Sequence, residues 1–153
     1  MKLVRANIQD AENLWRMQIA AFKDLYAKYQ DAETSPFTEP LEKVIMRLSQ
    51  PDTYYYYIQV EDTIVGAIRV VDTKAPGKYK IISPIFILPE FRCRGYAQRA
   101  IKIAEELHGY TMWKLNTILQ EIRNCALYEK LGYVKTGEVH IINTKMTLVD
   151  YKK

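Results

Sequence analysis

Residues 85–99 read Ile85-Phe86-Ile87-Leu88-Pro89-Glu90-Phe91-Arg92-Cys93-Arg94-Gly95-Tyr96-Ala97-Gln98-Arg99. An apolar run stops at Leu88-Pro89, a basic turn containing one glycine follows, and an amphipathic pattern opens at Tyr96. This is a buried strand that delivers a turn onto the start of a helix. Such a turn leaves successive backbone N–H groups unpaired and convergent, and the helix adds partial positive charge at the same place, so phosphate is the natural guest. Gly95 admits a positive φ and lets a phosphate approach without meeting a Cβ, and Ala97 keeps the next approach nearly as open. Arg92, Arg94 and Arg99 add local charge.

Working outward, the helix runs to about His108 with Ala97, Ala100, Ile101, Ala104 and Leu107 inward and Arg99, Lys102, Glu105 and Glu106 outward, and Gly109 terminates it. The strand that precedes the turn begins near Lys78 and is interrupted at Ser83-Pro84, where a proline implies an edge, a bulge or a local splay. Before it, Tyr54 to Val60 and Thr63 to Val71 form an aromatic and β-branched hairpin. The N-terminal part reads as a short strand at Leu3 to Ala6 and a helix to about Tyr29, with Asn7 or Asp10 at its start and Gln18 interrupting its apolar stripe. A polar loop, Asp31 to Thr38, leads to a second helix capped by Thr38. After Gly109 come a strand over Met112 to Leu119, a short helix over Ile122 to Leu131, and two more strands between Tyr133 and Val149. A strand–helix–strand crossover flanked by hairpins implies an α/β (α+β) fold: one mixed, mostly antiparallel sheet of about six to seven strands with helices on both faces.

The 153 residues suffice for one ordinary domain, taken as residues 1–153. Hydrophobic residues make up 48% and charged residues 26%, which fits neither a disordered chain nor a membrane protein. The formal charge of +4 falls short of what a duplex-binding face requires, so no nucleic-acid partner is expected. The N-terminus has no apolar leader and no run reaches membrane-spanning length, giving a cytoplasmic location and no membrane partner as the expectation. Cys93 and Cys125 lie far apart and outside any zinc spacing, which makes them free thiols and leaves no metal site.

Arg92-x-x-Gly95-x-Ala97 resembles the Gln/Arg-x-x-Gly-x-Gly/Ala signature of the GCN5-related N-acetyltransferases (GNAT), in the setting that family requires, after a strand end and opening an amphipathic helix. Leu127-Tyr128-Glu129-Lys130-Leu131-Gly132-Tyr133 resembles the family's second recurring segment, and the order of elements agrees. The resemblance implies a transferase that moves an acetyl group from acetyl-CoA, its co-substrate, to a primary amine of a small molecule or peptide by direct attack. Backbone amides of Arg92, Cys93, Arg94, Gly95, Tyr96, Ala97 and Gln98 would hold the pyrophosphate. Backbone groups of Phe86, Ile87 and Leu88 would pair with the pantetheine arm, in a gap that the Pro84 irregularity helps to open. Tyr128 would be the general acid to the departing CoA thiolate. The resemblance also admits a homodimer.

Three departures from the family pattern stand out. No carboxylate occupies Lys80-Ile81-Ile82-Ser83, where the family often has a base, and this supports an alternative: an acetyl-CoA-binding sensor or regulatory module without transfer activity. Cys93 replaces a common second glycine. Asn124 lies four residues before Tyr128, whereas the family's coenzyme-contacting asparagine lies seven before, at the place of Glu121; Asn124 is taken to substitute for it. The run Tyr54 to Tyr57 is assigned to packing, Cys125 to burial, and His108 and His140 to a solvated helix end and a strand position. Asp31, Glu33, Glu39 and Glu42 can attract a cationic amine or serve as a solvated helix start; the sequence leaves both open.

Overall fold

Alternation along Tyr54-Tyr55-Tyr56-Tyr57 divides the interior. In the computed structural model, which describes residues 1–153, Tyr55 and Tyr57 project to one face of the sheet and Tyr56 to the other, as the two-residue period of a strand demands. One face carries Leu14, Ala21 and Val44 from two helices, and the opposite face carries Ala100, Ile101, Ala104, Cys125 and Tyr128 from two others.

The strands are β1 (Lys2–Arg5), β2 (Thr53–Val60), β3 (Thr63–Val71), β4 (Lys80–Ile87), β5 (Trp113–Ile118), β6 (Val134–Ile141) and β7 (Thr147–Lys152). The helices are α1 (Ala11–Tyr29), α2 (Leu41–Ser49), α3 (Tyr96–His108) and α4 (Ile122–Lys130). They form one seven-stranded sheet in the order β1-β2-β3-β4-β5-β7-β6, antiparallel throughout except for β4 and β5. This is the expected mixed, mostly antiparallel sheet with helices on both faces. No helix is long and apolar enough to cross a membrane.

The parallel pair positions the site. β4 and β5 are in register only at Lys80↔Trp113 and Ile81↔Lys114, and beyond Ile81 they diverge. Pro84 lies just past that point, lacks an N–H to donate, and sits opposite a register shift between Ile68 and Val70 on β3. Arg69, the residue in that shift, is buried and donates to the Ser83 carbonyl at 2.6 Å. Gly66 fits for a different reason: a Cβ there would lie 2.1 Å from the Phe86 carbonyl oxygen, so only glycine lets β3 and β4 approach so closely.

Several local expectations are corrected. Gln18 does not break the α1 stripe; it is fully buried and donates to Pro36 O at 2.7 Å and Glu39 Oε1 at 2.8 Å. Thr38 does not cap α2, which starts after Pro40; its hydroxyl donates to Ala32 O and Ser35 O instead. On α3, Glu105 is buried, accepting from Tyr133 Oη at 3.0 Å and Lys153 Nζ at 2.9 Å, whereas Leu107 is 55% exposed. His108 is no solvated helix end: its ring is buried between Asp72 and Tyr56.

Candidate active site

The turn between β4 and α3 owes its shape to two left-handed residues. Cys93 has φ 63° and Gly95 φ 77°, separated by Arg94, and α3 begins directly after Gly95 without a side-chain cap. A Cβ on Gly95 would meet nothing within 4 Å, so the turn faces open space. The first backbone N–H of this stretch to find a partner is that of Arg99, on Gly95 O at 3.1 Å. The amides of Cys93, Arg94, Gly95, Tyr96, Ala97 and Gln98 make no backbone hydrogen bond, which is the array of free donors that a phosphate group satisfies.

Arg92 does not belong to that array. Its amide closes a turn on Pro89 O at 3.4 Å, its Nε donates to Ile87 O at 3.1 Å, and its terminal nitrogen donates to Ala21 O on α1. With Asp24 3.6 Å away, the guanidinium braces α1 against the end of β4. Arg94 donates to Glu90 O at 3.4 Å, lies over the Phe91 ring and is exposed. The cation facing the turn across the cleft is one the sequence reading missed: Arg123, on the first turn of α4, with Nη1 3.6 Å from Cys93 Sγ. Its place one residue before Asn124, in the second segment, was the available signal.

A cleft of about 400 Å³ leads inward from this turn, bounded by Ile87, Cys93, Gly95, Ala97, Arg123 and Tyr128 among others. It is walled by the end of β4, the turn into α3 and the start of α4. Of the three strand residues expected to offer backbone groups here, two are committed elsewhere: Leu88 N donates to Val65 O at 2.8 Å, and Phe86 is paired with Ala67 on β3. Strand alternation then turns the N–H of Ile87, whose carbonyl accepts from Arg92, and the backbone of Ile85 two residues before, toward the gap.

A second cleft of about 190 Å³ continues from the first, and Phe22, Leu25, Ile85, Asn124 and Tyr128 line both. Asn124 is exposed at this junction. The Tyr128 ring is 8% exposed and rests 6.1 Å from both Tyr133 and Tyr151. Its hydroxyl stays outside the bonds that tie Tyr133 to Glu105 and Tyr151 to Glu129. Burial, with a smaller contribution from Cys125, pushes the phenol up to about 12. It therefore stays protonated at neutral pH.

The acidic residues of the sequence reading separate. Glu39 is held by Arg47 at 2.8 Å and Lys43 at 3.0 Å beneath α1 and α2, and no longer faces an acceptor. Glu121, at the start of α4, accepts from Tyr29 and from Lys28 at 2.8 Å; burial acts to raise its pKa, but these partners hold it below the usual carboxylate range. Asp31 is buried and lines the second cleft.

A divergent parallel pair, a free-amide turn opening a helix and a tyrosine at the inner end define an acyl-CoA transferase architecture. The model of the acetyltransferase (GNAT) family matches residues 19–133, and the chain belongs to that family. Solved structures agree over nearly the whole chain. A spermidine N-acetyltransferase from Vibrio cholerae, in complex with CoA and spermine, superposes with a TM-score of 0.74 at 15% identity, covering 98% of this chain and 92% of that one. An acetyltransferase from Thermus thermophilus gives 0.73 at 16% identity, covering 99% and 95%. The PaiA N-acetyltransferase from Thermoplasma acidophilum, in complex with coenzyme A, gives 0.67 at 15%, covering 99% and 98%. No protein of curated function matches the sequence.

Proposed function

We propose that the protein transfers the acetyl group of acetyl-CoA to a primary amine of a small molecule or peptide. The observation that carries this reading is the run of unpaired amides from Cys93 to Gln98 at the mouth of a cleft that leads to Tyr128. Neighbours of the same fold that hold CoA, one of them with spermine, support it.

Acetyl-CoA supplies an activated thioester. The free amides hold its pyrophosphate, and the N–H of Ile87 with the backbone of Ile85, turned into the gap, holds the pantetheine arm. An N–H there also faces the thioester oxygen, and a single preorganised donor of this kind contributes about 2.7–4 kcal/mol to transition-state stabilisation. The amine enters through the smaller cleft as its free base; its nitrogen forms the bond to the acetyl carbon, the C–S bond breaks, and the extra proton on nitrogen passes to solvent. Tyr128, protonated and desolvated, donates to the sulfur as negative charge develops on it. A phenol near 12 is a weak acid against a thiolate of ordinary pKa ~8.5, so its main contribution is a strong hydrogen bond in the transition state, with transfer completed as the thiol leaves and Tyr128 taking a proton back from solvent.

The test is release of free thiol from acetyl-CoA with a panel of polyamines, amino acids, aminoglycosides and peptides. Thiol release with at least one amine supports transfer. Binding of acetyl-CoA without release with any of them supports the second reading, a sensor of the same fold, which the lack of a carboxylate over Lys80 to Ser83 favours.

A further inference from the structure

A largely buried carboxylate is usually paired with a cation, so one that is not, and that keeps an oxygen open to a cleft, is placed to receive a cation from outside. Three acidic residues of this chain are buried: Asp31, Asp72 and Glu105. Asp72 has Lys74 at 2.9 Å and His108 at 2.8 Å, and Glu105 has Lys153 at 2.9 Å. Asp31 has no cation. Its Oδ2 accepts from Thr34 Oγ1 at 3.0 Å, and its main-chain carbonyl accepts from the amides of Thr34 and Ser35, which fixes the loop, while Oδ1 takes no hydrogen bond from the chain.

Asp31 is also the one charged side chain that lines the smaller cleft; the other polar groups there, Thr34, Ser83, Asn116, Thr117 and Asn124 among them, are neutral. No lysine, arginine or histidine is present to receive a carboxylate. The cleft thus offers one negative charge, several neutral hydrogen-bonding groups and apolar walls such as Met146 and Leu148.

We propose that this cleft takes an amine acceptor bearing a second, non-reacting cationic group, with Asp31 as its counter-ion. This rests on the acetyl-transfer reading above. A carboxylate at the reacting nitrogen would hold it as ammonium and oppose attack, but Asp31 lines only the smaller cleft, whereas Tyr128 and Ile85 line both. The reacting nitrogen lies toward the shared residues and the second cation toward the Asp31 loop. Acceptors with a carboxylate in place of that cation, such as ω-amino acids, are disfavoured by like charge.

The test is calorimetric binding of three probes of matched length to the protein saturated with CoA: 1,4-diaminobutane, butylamine and 4-aminobutanoate. The diamine is expected to bind tightest, by about tenfold or more over butylamine, with 4-aminobutanoate weakest. Equal binding of diamine and butylamine, or tighter binding of the aminobutanoate, overturns the proposal, and this comparison needs no variant. In Asp31→Asn, with retained CoA affinity as the sign of a folded protein, the diamine advantage should collapse to within about twofold; a preserved advantage overturns the assignment to Asp31. Thiol release measured alongside separates the two readings. Amines acetylated without charge discrimination leave transfer standing and remove Asp31, whereas selective diamine binding without thiol release keeps Asp31 and removes transfer.

Discussion

His108 Nδ1 lies 2.8 Å from Asp72 Oδ2, joining the C-terminal end of α3 to the chain just past β3, while Nε2 of the same ring lies 2.9 Å from Tyr56 Oη. Burial is the largest influence on His108 and lowers its pKa, with Asp72 opposing and Lys74 and Lys80 adding to the lowering. For Asp72, burial acts upward, but Lys74 and His108 hold it below its ordinary value. The signs agree. A histidine depressed on folding gives full stability above its unfolded value of ~6.5 and loses it as pH falls toward the folded value, because the unfolded chain takes the proton first. A depressed aspartate loses its contribution at still lower pH, through its own folded pKa. Urea midpoints should therefore decline as pH falls below about 6.5, and His108→Gln should flatten that decline while costing about 1–3 kcal/mol at neutral pH. A slope unchanged by the substitution would assign the decline to other groups.

Tyr128→Phe keeps the ring between Tyr133 and Tyr151 and removes the donor. Turnover should fall about 10–100-fold, as expected for one hydrogen bond to a developing charge, while coenzyme affinity changes much less. Because the wild-type phenol sits near 12, the pH–rate profile should show no limb from it near neutrality. Steady-state thiol release against calorimetric affinity separates the two effects.

Arg92→Ala should act on stability. Loss of its bonds to Ile87 O and Ala21 O removes the brace between the end of β4 and α1, at a cost of about 1–3 kcal/mol by chemical denaturation. Arg123→Ala should instead weaken acetyl-CoA binding and reduce its salt dependence, because that guanidinium lines the cleft beside the free amides.

Gly95→Glu should abolish coenzyme binding in calorimetry. No atom obstructs a side chain at this position, so the loss would come from a left-handed φ of 77° and from a carboxylate placed where phosphate is to sit. Gly95→Ala isolates the backbone effect and should retain measurable affinity.

Cys93→Gly should stabilise the protein. A non-glycine residue at φ 63° is strained, and glycine relieves about 1 kcal/mol of it, less what the looser unfolded chain takes back. Thermal unfolding checks the sign.

The sequence was readable wherever the signal is local. The order of elements follows from changes of period, and the Arg92 to Ala97 turn follows from a strand, a glycine and a helix start within a few residues. What escaped depended on distant partners. Arg92 looked like a phosphate ligand because its acceptor on α1, Ala21, is 71 residues away, and His108 looked solvated because Asp72 and Tyr56 are 36 and 52 residues away. The edge of the α3 stripe was equally opaque: Glu105 is drawn inward by Tyr133 and Lys153, both from elements that period alone does not place beside α3. Among the four acidic residues near the second helix, sequence could not separate Glu39, enclosed by cations, from Asp31, left without one.

Gly66 touches neither cleft, yet Phe86, whose carbonyl sits against it, helps wall the larger one. Any side chain at Gly66 would push β4 away from β3 and carry the cleft wall with it. A mutational screen scored only by acetyl transfer would rank this position beside Tyr128, although it lines neither cleft. Scoring the same library for folded protein would tell the two apart, since Tyr128→Phe leaves the scaffold whole and Gly66 variants would not.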